Sequence, residues 1–147
     1  MELDFSKNIQ LSGRLDMDQQ TLLHRQVNPS FIQSGRVTSQ VFRPTPKDEG
    51  MLSVSDGSKI TAESAYLRFI LVPQCRSKGV LSVSVEECCA QGVLPVPDPI
   101  EEMEHQLSQP DHCFIDFRNI SSGRIDKIAT QLRNYAIARG WSYGPVE

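Results

Sequence analysis

No apolar run in this chain of 147 residues approaches the roughly 20 that a membrane-spanning helix needs, so no membrane association is expected. The start, MELDFSKNIQLSGRL, lacks the basic opening and apolar centre of a secretory signal, which points to the cytoplasm. Cysteine is sparse. Cys75, Cys88, Cys89 and Cys113 form no C-x-x-C pair and no closely spaced His–Cys cluster accompanies them, so they read as reduced, mostly buried small hydrophobes, and no metal is expected. Phosphate-cradling loops of the G-x-x-x-x-G-K-[ST] or G-x-G-x-x-G type are missing, as is the G-x-S-x-G nucleophile turn, and no cofactor is implied by any motif. Aromatic residues make up only 7% and the isoelectric point lies near 5.6, which disfavours a base-stacking platform, so nucleic acid is not an expected partner.

One further absence is local. Between Gln19 and Lys47 there is no Asp or Glu, while Arg25, Arg36, Arg43 and Lys47 carry four positive charges. With a total of -3, the remainder of the chain carries -7. A segregated positive field attracts phosphates, carboxylates or an acidic partner, unless acids from elsewhere in the fold neutralise it.

Length and composition fit one domain over residues 1–147, with 39% hydrophobic and 22% charged residues. ELDF and IQLSGRL near the start could each be a short strand. Thr21 to Val27 predicts a strand with Leu23, Arg25 and Val27 on one face and Leu22, His24 and Gln26 on the other. After Asn28-Pro29 and a Ser34-Gly35 turn, Arg36 to Phe42 predicts a second strand, and Met51 to Val54 a third. Arg43-Pro44-Thr45-Pro46 reads as an extended loop. Thr61 is placed to cap a helix whose apolar stripe is Ala62, Ala65, Tyr66, Phe69 and Ile70. Gly79 to Val83 predicts a strand running into a Ser84-x-x-Glu87 capping box, with Gly92 ending that helix. Leu94 to Pro99 reads as a proline-rich connector, and Asp98-Pro99 as the start of a short acidic helix over 99–107. Cys113, Ile115 and Phe117 alternate with Phe114, Asp116 and Arg118 as a strand. Ser121 or Ser122 caps a last helix carrying Ile125, Ile128, Ala129, Leu132, Tyr135 and Ala136 on one face, stopped by Gly140. The expected class is α+β or mixed α/β: a small sheet, strands mainly N-terminal, covered by two to four helices that include the C-terminal amphipathic one.

The expected site follows from the acid-free segment. His24, Arg25, Arg36, Thr38, Ser39, Gln40, Arg43 and Ser53 gather cations and hydroxyls that suit a phosphate-bearing or nucleotide-like ligand. No His–Asp constellation at a recognisable spacing activates the hydroxyls as nucleophiles. His24 and Arg25, as strand neighbours, point to opposite faces and share a pocket only if the strand lies at an edge or bends. Arg25, among apolar neighbours, needs an acceptor, either Asp116 or a ligand phosphate. The alternative is a non-catalytic interaction module, immunity- or antitoxin-like, which the acidic segment 98–104 also suits.

The run His24-Arg25-Gln26-Val27-x-Pro29, Gly35-Arg36-Val37-Thr38-Ser39-Gln40-x-Phe42-x-Pro44 and Leu52-Ser53-Val54 resembles a group of small, uncharacterised bacterial proteins, which implies a bacterial origin but no activity. More distantly, an arginine on an early strand followed by a glycine turn and a Phe-led polar strand is similar to the first half of ADP-ribosyltransferase-like domains. That resemblance implies that Arg25 would bind an NAD phosphate. Here Phe42 is followed by Arg43-Pro44-Thr45-Pro46 rather than Ser-Thr-Ser.

Overall fold

The computed structural model describes residues 17–103 and 107–147. The two N-terminal strands expected over ELDF and IQLSGRL lie outside them. Among the described residues seven strands form: β1 (Leu22–Gln26), β2 (Ile32–Gln33), β3 (Arg36–Val37), β4 (Met51–Asp56), β5 (Val80–Ser84), β6 (Leu94–Pro97) and β7 (His112–Asp116). Three helices accompany them: α1 (Ala62–Phe69), α2 (Val85–Ala90) and α3 (Ser122–Arg139). The main sheet has the order β5-β1-β4-β7-β6 with every neighbouring pair antiparallel. The class is α+β.

The alternation read in the sequence sorts the two faces. Leu23, Val27, Leu52, Val54, Leu81, Val83, Cys113 and Ile115 belong to one buried cluster with Ile128, Ala129, Leu132 and Ala136 of α3, so this face carries the core. The opposite face presents His24 and Gln26 of β1, Ser53 and Ser55 of β4 and His112 of β7, with α1 beside them. Both edges are protected against further strand pairing. At one end the C-terminal segment lies along β5, with Val80 N donating to Tyr143 O at 2.8 Å and Ser142 N to Val80 O at 2.9 Å. At the other, β6 carries Pro95 and Pro97.

That last strand corrects the connector expected over Leu94 to Pro99. The prolines occupy alternate positions, so the missing donors fall on the solvent side of an edge strand, where they cost nothing. The short acidic helix over 99–107 is also corrected. Ile100 and Gln109 exchange backbone hydrogen bonds of 3.0 and 2.7 Å, which demands extended chain, and no helix appears among the described residues there; Glu104 lies outside them.

The strand expected over Arg36 to Phe42 is the third correction. Only Arg36–Val37 is strand, closing a hairpin through Ser34 (φ 52°) and Gly35 (φ 77°); two successive positive φ values match hairpin twist. Ser39–Phe42 is a 3-10 turn. A strand would send Val41 and Phe42 to opposite faces, whereas the turn buries both completely in the core cluster. Arg133 of α3 fastens the entry to the turn, donating from Nε to Val37 O at 2.8 Å.

The capping box of α2 forms as read: Glu87 N donates to Ser84 Oγ at 3.0 Å and Ser84 N to Glu87 Oε1 at 2.8 Å. Arg139 closes bidentately on Glu87, tying the end of α3 to the start of α2. Ser84→Ala is expected to cost about 1 kcal/mol, read as a fall in the denaturant midpoint with an unchanged slope. Thr61 caps α1 through Ser64 N, and its Ala62, Ala65 and Tyr66 are buried, while Ile70 is exposed.

Candidate functional site

A cleft of about 750 Å³ opens on the sheet face opposite α3. Its floor is polar: His24, Gln26, Ser53, Ser55 and His112 on three adjacent strands. Its walls are largely apolar. Ala65, Phe69 and Val72 stand on the α1 side, and Ile100, Met103 and Leu107 on the side of the chain leaving β6. Met103, Leu107 and Val72 are exposed. Arg25, Phe31, Arg68, Arg76, Glu102 and Gln109 also line the cleft.

Of the residues expected from sequence, His24, Arg25 and Ser53 meet at this cleft. The other five do not line it. Arg36 is exposed on β3, Thr38 Oγ1 donates to Phe31 O at 2.8 Å, and Ser39 and Gln40 start the 3-10 turn. Arg43 pairs with Asp126 at 3.1 Å, so part of the local positive field is neutralised from α3.

His24 and Arg25 share the cleft although they leave β1 on opposite faces. The β1–β4 pairing stops at His24↔Ser55, and beyond it the guanidinium of Arg25 bridges the parting strands. Its Nε donates to Val41 O at 2.8 Å and its Nη1 to Ser53 O at 3.0 Å, with the Phe31 ring centroid 5.7 Å from Cζ. The acceptors are thus main-chain carbonyls and not Asp116, which is held by Arg118 at 2.9 Å. No carboxylate pairs with Arg25 among the described residues. Burial pulls the guanidinium down to about 10, with the charge of Asp48 opposing, so it remains a cation at neutral pH. Two of its five N–H groups are engaged, and three retain donor capacity.

Gln26 shows the complementary deficit. Its Oε1 is buried with no hydrogen-bond partner among the described residues. A buried orphan acceptor carries the desolvation penalty of an unmade hydrogen bond.

His24 is buried, with Nδ1 2.7 Å from Ser82 Oγ, which is 2.7 Å from Ser142 Oγ. Burial lowers its pKa, against the opposing pull of a hydrogen bond to the Ile60 backbone and the charges of Asp56 and Asp111. A lowered histidine pKa means that the unfolded chain takes up a proton first. Its contribution to stability is complete above about 6.5 and is lost as pH falls through the folded-state value. His24→Gln is expected to flatten the fall of melting temperature immediately below pH ~6.5.

Sequence reasoning missed His112, Asp98, Arg68 and Asp111. His112 Nε2 lies 3.3 Å from Ser53 Oγ, and its Nδ1 lies 3.0 Å from Asp98 O and 3.3 Å from Asp98 Oδ2. Ser55 faces His112 across the β4–β7 ladder, so Ser53 is its diagonal neighbour on the same face. Both strands were legible, but their pairing was not. Among the described residues no group of three or more His, Cys, Asp or Glu gathers as a metal site, and no helix is long and apolar enough to cross a membrane. Compared with family models, curated proteins and solved structures, the chain matches none of them. The fold and cleft define an α+β domain with a five-stranded antiparallel sheet and an open, polar-floored pocket lined in part by Arg25, Arg68 and Arg76.

Proposed function

We propose that the domain binds a small amphipathic anion, a phosphate- or carboxylate-bearing molecule of nucleotide size, in the cleft around Arg25. The observation that carries this reading is Arg25 itself. A half-buried guanidinium held by two carbonyls and an aromatic face, with no carboxylate partner among the described residues, is oriented for an anion that the protein does not supply. The apolar walls at Phe69, Val72, Ile100 and Leu107 receive the body of the molecule. The volume of about 750 Å³ falls within the range of ligand pockets, about 300–1,000 Å³.

This site keeps the nucleotide-like ligand expected from the sequence but moves it from the whole basic segment to one arginine. Thermal unfolding with AMP, ADP-ribose and octanoate tests it. A ligand at about 100 times its dissociation constant adds about 2.7 kcal/mol, several degrees for a chain of this size. That rise should vanish in folded Arg25→Gln and persist, weakened, in Arg25→Lys, which keeps the charge but not the planar fork. A rise of equal size in all three proteins would refute the assignment.

A further inference from the structure

From the arrangement of Ser53, His112 and Asp98 we infer that the cleft is also a hydrolytic site, in which Ser53 attacks a carboxylic ester. This rests on the cleft being a ligand site, since the ester must enter where the anion is placed.

The neighbours of His112 fix its tautomer. A carbonyl oxygen can only accept, so the contact of His112 Nδ1 with Asp98 O at 3.0 Å puts the proton of the neutral ring on Nδ1. The carboxylate of the same residue, 3.3 Å away, reinforces that choice. Nε2 is then left with its lone pair, and the atom facing it is Ser53 Oγ at 3.3 Å. This is the order that activates a hydroxyl: nucleophile on Nε2, orienting acceptor on Nδ1. Purely structural cross-strand pairing does not require it, because a His–Ser pair satisfies itself with either tautomer. Ser53 is exposed on the cleft floor, so its hydroxyl is open to an incoming carbonyl carbon. Beside it stands the cation of the site: Arg25 Nη1 is bonded to the carbonyl of Ser53 itself at 3.0 Å and retains further N–H groups.

The steps balance with water as the only co-reactant. Ser53 Oγ bonds to the ester carbonyl carbon while its proton passes to His112 Nε2. The carbonyl oxygen gains the negative charge, which Arg25 offsets. On collapse the C–O bond to the alcohol breaks, and the departing oxygen takes the proton from Nε2. Water then attacks the acyl group on Ser53, giving its proton to Nε2, and the acyl–serine bond breaks with return of that proton to Oγ. The products are the alcohol and a carboxylic acid, which releases its remaining proton to solvent and becomes an anion of the kind the cleft is read to hold. Ser53 and His112 are the catalytic residues, and Asp98 is a positioning residue. Because the Asp98 backbone also holds Nδ1, Asp98→Asn should retain the tautomer and slow the reaction less than His112→Gln does.

The test uses the full chain with p-nitrophenyl butyrate and a fluorophosphonate that phosphonylates activated serines. Expected are p-nitrophenol release and a single adduct mapped by mass spectrometry to Ser53. Ser53→Ala should abolish the adduct, and His112→Gln should slow both reactions roughly 10²–10⁴-fold. Asp98→Asn should lower kcat more than it changes KM and shift the pH profile, which a merely structural aspartate would not do. Ser53→Ala should still melt cooperatively, so that loss of the adduct is not loss of the fold. No adduct on Ser53 in folded wild type, or equal labelling of Ser53→Ala, would overturn the hydrolytic assignment. The thermal shift, measured on the same samples, reports separately whether the binding site stands.

Discussion

Phe42→Ala is expected to destabilise the domain by about 3–5 kcal/mol, on the order of 10 °C in melting temperature. Phe42 has no exposed surface and packs in the cluster that includes Ile128, Leu132 and Ala136 of α3. Removing the ring leaves a void that a surrounding sheet and helix cannot collapse into, so the cavity penalty adds to the lost burial. Val41→Ala should also destabilise, because the 3-10 turn buries both neighbours, whereas Gln40→Ala, at an exposed position of that turn, should be close to neutral. A strand would place Gln40 and Phe42 together and Val41 opposite. Urea unfolding of the three variants separates the two geometries, and a neutral Val41→Ala would contradict the turn.

Arg68→Met carries the second large effect, about 3 kcal/mol at neutral pH. Arg68 of α1 grips Asp111 bidentately, with contacts of 2.7 and 2.8 Å. Asp111 is only 3% exposed and Arg68 21%. Losing one partner of a fully buried pair costs about 3–5 kcal/mol, and the partial exposure of Arg68 places this pair at the lower end. Burial alone would raise the Asp111 pKa, but the hydrogen bonds and charge of Arg68 outweigh it and hold the carboxyl below its ordinary value. In wild type this contribution is therefore present above about pH 3.9 and is lost as pH falls through the folded-state value. In Arg68→Met the unpaired carboxylate is relieved by protonation, so the deficit against wild type should narrow on acidification. Asp111→Asn in the Arg68→Met background should recover part of it. A deficit that is constant with pH would show that packing of the arginine stem, not the ion pair, carries the effect.

The two variants bracket what the sequence disclosed. Period-2 alternation at Leu23, Arg25 and Val27, and at Cys113, Ile115 and Phe117, is imposed by a sheet with one face on the core, and those strands were legible with their faces. The capping box at Ser84 and Glu87 and the stripe on α3 were legible for the same reason, because each is a short-range pattern. Leu94–Pro97 and Ser39–Phe42 were not. Prolines read as strand breakers until the partner strand shows which side they face, and the 3-10 turn is chosen by the pocket beneath α3 rather than by local propensity. The site divided in the same way. Arg25 and Ser53 stood out by type, but Asp98, His112 and Arg68 acquire meaning only from the β6–β7 and β4–β7 ladders and the position of α1. Arg36 and Arg43 were grouped with Arg25 by proximity along the chain, whereas the hairpin and the Asp126 contact carry them elsewhere.

The most direct test of the cleft around Arg25 as the ligand site is a titration of isotope-labelled protein with AMP, followed residue by residue in amide NMR spectra. Saturable shifts should cluster at residues 24–28, 53–55, 68–76, 100–103 and 107–112 and disappear in Arg25→Gln. Shifts centred on residues 36–43, or no response to millimolar AMP or octanoate, would contradict the account.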